Sequence, residues 1–253
     1  MKKSTKKPVK TTVKAPIIIG EETTQQVTIE SVSEPKVTQI NGNRFNYFMT
    51  SIYKIERPDL LADAKIVAKN ALDKIKKEVP KLDPIFPLYQ TYDILSDPMI
   101  ESLAKYIVDV SFDILAEQGY DMSNKRTYYT SMWVQEHFKH SAHEEHIHGA
   151  GAQIVGFYFL EVPPDSSRII FHDPRPGKKQ INLPETSMND ATYASDAVNF
   201  LPKEGDLYIV NAWTPHSIGR NHSTKSVKFI HFTINVDQAP QINTDTANTP
   251  TVI

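Results

Sequence analysis

From Tyr120 onward the chain breaks into short β-branched and aromatic runs, and this pattern limits the possible folds more than any other feature. The runs are Tyr128–Phe138, Ala152–Val162, Arg168–His172, Asp206–Asn211 and Lys228–Val236. Turns rich in Pro, Gly, Asn and Asp separate them. Short strands at this spacing predict a β-sandwich or jelly roll. Upstream, the run Phe45–Ile55 reads as one more strand. Two helices follow it. The first is expected to be capped by Asp59, to bury Leu61, Ala64, Ala68, Leu72, Ile75 and Val79, and to stop at Pro80. The second opens at Asp97 and Pro98, buries Ile100, Leu103, Ile107, Val110 and Ile114, and ends at Gly119. The expected fold is mostly β with flanking helices: a double-stranded β-helix (jelly-roll) core buttressed by two N-terminal helices.

Residues 1–42 are rich in Lys, Thr, Val, Ser and Glu, without periodicity, and read as a disordered basic arm. The APIIIG stretch within it could add an edge strand. Residues 43–238 form the expected jelly-roll domain, and residues 239–253 a flexible tail. The polar segment from Pro174 to Pro202 is long for a compact domain and is expected to act as a lid.

Composition removes whole classes of chemistry. The 253 residues include no cysteine, so disulfides, thiolate zinc sites, iron–sulfur clusters and cysteine nucleophiles are excluded. A metal would need His, Asp or Glu ligands, which points to iron, zinc, manganese, copper or nickel. A net charge of −2 gives no general reason to bind nucleic acid or an anionic membrane. No apolar run approaches the roughly 20 residues that span a bilayer.

Five of the nine histidines lie in HFKHSAHEEHIH, residues 137–148. His146 and His148 are two apart, so an extended chain points both to one side. A Gly/Ala turn and an apolar strand follow, and small residues there let a ligand approach the backbone. His216 ends the run GDLYIVNAWTPH and is the natural third ligand. Asp173, in IIFHDPRP, is a turn residue, a carboxylate ligand or a partner that orients an imidazole. His137, His140 and His143 read as surface or orienting residues, and His172, His222 and His231 are held in reserve. Lys228, Arg220 and Arg175 are the cations that could clamp a carboxylate, and Tyr158 completes the candidate cofactor-binding set.

The order of these features resembles the 2-oxoglutarate- and Fe(II)-dependent oxygenases over about residues 43–237. It is most similar to the prolyl 4-hydroxylase-like branch frequent in tailed phages of marine bacteria. The resemblance is carried by a Trp133 strand, HxH, GFYFL, IIFHDPRP, GDLYIVNAWTPHSIGRN and FTIN. It implies Fe(II) bound by His146 and His216, with 2-oxoglutarate and dioxygen as cosubstrates and a hydroxylated substrate of peptidyl-prolyl type. The usual carboxylate position holds His148 instead. Three histidines, a contribution from Asp173, or two protein ligands all remain open. Three imidazoles would leave the metal about one charge unit more positive. Lys228, twelve residues past His216, is the nominated clamp, although strand alternation points it outward unless a bulge intervenes.

The resemblance further implies a small-molecule or protein substrate, a homodimer as one option, and a host-cytoplasmic or virion-associated location. Two alternatives stand beside it. One is a cupin-like three-His metal centre with other chemistry. The other is a non-enzymatic structural or binding module.

Overall fold

The computed structural model describes residues 42–149, 151–181, 183–187 and 189–240. The APIIIG stretch and most of the N-terminal arm and C-terminal tail fall outside them.

Among the described residues, ten strands form two antiparallel sheets. Strands β1 (Ile52–Glu56), β2 (Leu88–Gln90), β3 (Lys125–His137), β5 (Ile154–Glu161), β8 (Asp206–Asn211) and β10 (Val227–Gln238) make the larger, in the order β1-β8-β5-β10-β3-β2. Strands β4 (His143–His146), β6 (Ile169–His172), β7 (Ala197–Phe200) and β9 (His216–Ile218) make the smaller, in the order β4-β9-β6-β7. This is the expected jelly roll, with helices α1 (Leu61–Glu78) and α2 (Glu101–Glu117) packed on the larger sheet.

Period-two alternation divides the large sheet between two cores. Val155, Phe157, Phe159, Tyr208, Val210 and Phe229 meet Ile169, Phe171 and Ile218 of the small sheet. Ile154, Tyr158, Leu160, Ile230, Phe232 and Ile234 turn the other way, onto Leu72, Ile75, Leu103 and Ile107 of the helices. Neighbours in sequence on β5 and β10 therefore serve different cores. Any side chain aimed at the space between the sheets must share the parity of Phe157 and Phe229.

Several local expectations need correcting. Asp59 does not cap α1: its carboxylate binds Arg57, and a 3-10 turn at Pro58–Leu60 leads into the helix. Val79 is the exposed C-cap rather than part of the buried stripe. Asp97 does cap, accepting from the Met99 amide, but it opens the 3-10 turn Pro98–Ile100 that precedes α2. The strand expected from Phe45 begins only at Ile52, because Phe45, Tyr47, Phe48 and Met49 find no core and are exposed. The long polar segment is not all loop, since its last residues form β7 against β6.

Candidate metal centre

Four histidines from three segments of the chain converge between the sheets. His146 is the last residue of β4 and pairs in register with His216, the first residue of β9. His148 follows just beyond β4, anchored by its amide to the Ala212 carbonyl at 3.0 Å. His231 lies in the middle of β10 with the parity of Phe229. One nitrogen from each of these imidazoles lies within 4.8 Å of all the others.

The hydrogen bonds fix which nitrogen each ring presents. His146 Nδ1 lies 2.8 Å from the Glu144 carbonyl, His216 Nδ1 2.9 Å from the Thr214 carbonyl, and His231 Nδ1 2.9 Å from the Gly156 carbonyl. A carbonyl only accepts, so each Nδ1 carries the proton and each Nε2 is left with its lone pair. A main-chain carbonyl on the far nitrogen is the usual way of orienting a metal-binding imidazole. Among the described residues, His216 Nε2 is buried and has no hydrogen-bond partner. A buried acceptor with nothing to accept is costly, and a metal ion would satisfy it.

The rings are held by packing. His148 stacks on His216 with centroids 5.2 Å apart and planes 6° from parallel. His231 stacks on Phe157 at 4.3 Å and receives the edge of Trp133 at 4.4 Å. Burial lowers the pKa of His216 to about 3 and of His148 to about 4, and drives His231 well below the ordinary value. These three rings are therefore neutral at pH 7, the form that binds a metal. The donor set is all-nitrogen and suits Fe(II), Ni(II), Cu(II) or Zn(II).

The other nominated residues sit elsewhere. Asp173 is engaged by the Arg175 guanidinium at 2.7–2.9 Å and does not join the four histidines. That contact also occupies Arg175. Arg220 donates to the His140 carbonyl at 3.1 Å. Lys228 faces α1 and binds Glu161 at 2.8 Å, with Glu136 at 3.8 Å. A register shift does occur beside it, between Lys228 and Phe229, but it leaves the lysine on the helix side. Tyr158 has the parity of the helical core and donates to the Arg57 carbonyl at 2.6 Å. The positions flanking His231 on its own face of β10 are Phe229 and Thr233, both uncharged. One spare donor is Trp133, whose ring touches His231 and whose buried Nε1–H has no partner among the described residues.

His137 is not a surface residue. It is fully buried, lies against Phe229 with centroids 5.2 Å apart, and bonds Ser141 Oγ at 2.9 Å and Gln135 Oε1 at 3.2 Å. His172 bonds Ser217 Oγ at 2.9 Å. His231 is the functional candidate the sequence left in reserve. Its signal was parity: it falls two residues after Phe229 on an alternating strand, and so on the inward face.

Residues 131–232 match the family model described as "Putative 2OG-Fe(II) oxygenase". All four histidines lie inside the match. The match covers 102 of the 253 residues. No curated protein matches the sequence. Among solved structures, a prolyl 4-hydroxylase from Pseudomonas putida is similar at 9% identity and a TM-score of 0.48, covering 74% of this chain and 92% of that one. AviO1 from Streptomyces viridochromogenes is similar at 14% identity and a TM-score of 0.47, covering 76% and 92%. A Trichoplax adhaerens prolyl hydroxylase in complex with a hypoxia inducible factor peptide fragment is similar at 10% identity and a TM-score of 0.47, covering 73% and 83%.

Proposed function

We propose that this chain hydroxylates a C–H bond of an organic substrate with dioxygen, using Fe(II) held by His146 and His216 within the histidine cluster and releasing succinate and carbon dioxide from 2-oxoglutarate. The observation that carries the reading is the convergence of lone pairs. His146 and His216 each commit Nδ1 to a carbonyl and turn Nε2 to a common point, inside the segment matched by the oxygenase family model. When bound, Fe(II) would activate dioxygen, which is the oxidant, and 2-oxoglutarate would supply two of the electrons as it loses carbon dioxide. The protein's part is to fix the imidazoles, hold His148 and His216 neutral by burial, and pack Phe157 and Trp133 against the cluster.

A peptidyl-prolyl substrate rests on the order of sequence motifs alone, as do a phage origin and a host-cytoplasmic or virion-associated location. Among the described residues, no helix is long and apolar enough to cross a membrane. The test is anaerobic titration with Fe(II) and then 2-oxoglutarate, followed by succinate measurement under air. A visible charge-transfer band that needs both additions, with succinate formed, supports the reading. Iron binding with neither band nor succinate overturns it.

The carboxylate-free donor set favours a second reading, a cupin-like centre whose metal acts without 2-oxoglutarate. Metal-dependent oxidation of a substrate, indifferent to added 2-oxoglutarate, would select it.

A further inference from the structure

We propose that the resting metal is held by four imidazoles, with His231 as the fourth ligand, and that His148 is the one displaced when a bidentate 2-oxoacid binds. The second half of this inference rests on the 2-oxoglutarate reading. The first half does not.

His231 has few other options. Its Nδ1 proton is committed to Gly156, so its Nε2 can only accept, and that atom lies 3.2 Å from Nε2 of His148. The ring is clamped between Phe157 and Trp133 and cannot turn the lone pair away. Two facing nitrogens this close need either a proton or a metal between them. With His146 and His216 converging on the same space, a metal satisfies all four rings at once. A proton would satisfy one pair and leave His216 Nε2 unpartnered.

Four protein ligands create a counting problem. Divalent iron takes about six ligands in its oxygenase sites. Four imidazoles and a bidentate 2-oxoacid fill every position, and the site must still admit dioxygen. One imidazole has to leave.

His148 is the ring least held in place. His146, His216 and His231 are each tied through Nδ1 to a main-chain carbonyl, whereas His148 Nδ1 makes no hydrogen bond to the described residues. It lies outside β4, partly exposed, beside a glycine turn in which Gly151 has φ +95°. Charge favours the exchange. Four neutral imidazoles leave the metal's double positive charge uncompensated beside the buried His216 and His231, and a dianionic 2-oxoacid compensates it.

The test is X-ray absorption on the full-length, Fe(II)-loaded protein without oxygen, where scattering from the imidazole rings counts them. Four rings before 2-oxoglutarate and three after are expected. His231→Gln should weaken metal binding by about tenfold or more. His148→Ala should keep its metal on three rings and bind 2-oxoglutarate more tightly than the wild type. Three or fewer rings at rest overturn the four-imidazole site, without recourse to a variant. Four rings that persist after 2-oxoglutarate binds overturn the displacement. If four rings are present but neither wild type nor His148→Ala binds 2-oxoglutarate, the 2-oxoglutarate reading fails, and the displacement with it, while the four-imidazole site stands.

Discussion

His231 on β10 pairs in register with Phe157 on β5, and its imidazole donates the Nδ1 proton to the carbonyl of the preceding residue, Gly156, at 2.9 Å. The same glycine leaves no room for a side chain. A Cβ there would lie 2.3 Å from Phe232 Cζ and 2.6 Å from the Tyr208 carbonyl. One residue thus orients a candidate ligand and lets the helical core close on the sheet. Gly156→Ala should cost about 1–3 kcal/mol through overpacking. The urea midpoint would measure that loss, and metal affinity should fall with it as the carbonyl shifts. A variant with unchanged stability and affinity would show that the strand absorbs the methyl group.

His216 presents a buried nitrogen with nothing to accept from. His216→Ala should remove metal binding, seen most clearly as a missing thermal response. At free metal one hundred times Kd, the wild type should gain about 2.7 kcal/mol of stability. The variant should gain none. Equal gains in both would mean the metal sits elsewhere.

His137 gives a pH dependence separate from the metal. Burial lowers its pKa from 6.5 to about 3. The unfolded chain therefore takes up a proton near pH 6.5 that the folded chain refuses, so stability is complete above that value and falls as pH drops towards 3. At pH 5 the loss from this residue is about 2 kcal/mol. Denaturant midpoints of wild type and His137→Gln, measured at pH 7.5 and 5, isolate it. The acid-side drop should be smaller in the variant. Parallel curves would show that His137 does not carry the effect.

Lys228 tests the alternation rule. Its amine binds Glu161, on the helix side of the sheet. Lys228→Met should leave metal and 2-oxoglutarate affinity unchanged and shift stability by less than about 1 kcal/mol, as expected for a partly exposed ion pair. A large loss of 2-oxoglutarate affinity would mean that the lysine reaches the cosubstrate after all.

The jelly roll and its two helices were legible because most of their strands and both helical stripes are long enough to show a period. The strands Leu88–Gln90, His143–His146, Ala197–Phe200 and His216–Ile218 were not, since three or four residues carry little alternation; Ile169–His172, equally short, showed only because its residues are β-branched and aromatic. His146, His148 and His216 stood out by spacing beside turns. His231 did not, because a histidine within KFIHFTINV looks like any residue of a buried strand. The cation search failed for a related reason. The sequence shows that a lysine or arginine exists, but a one-residue change of parity decides which core it meets. Asp173 and Arg175, two residues apart, are joined to each other.

Every orienting bond to the three tethered histidines ends on a main-chain oxygen, and for His146 and His216 that oxygen belongs to the residue two positions earlier. The side chains of Glu144 and Thr214 take no part in these bonds. Those positions can drift in sequence without loosening the ligands, so the identity of neighbouring side chains is a poor guide to whether a relative keeps the centre. The spacing of the histidines and the path of the backbone are what must be inherited.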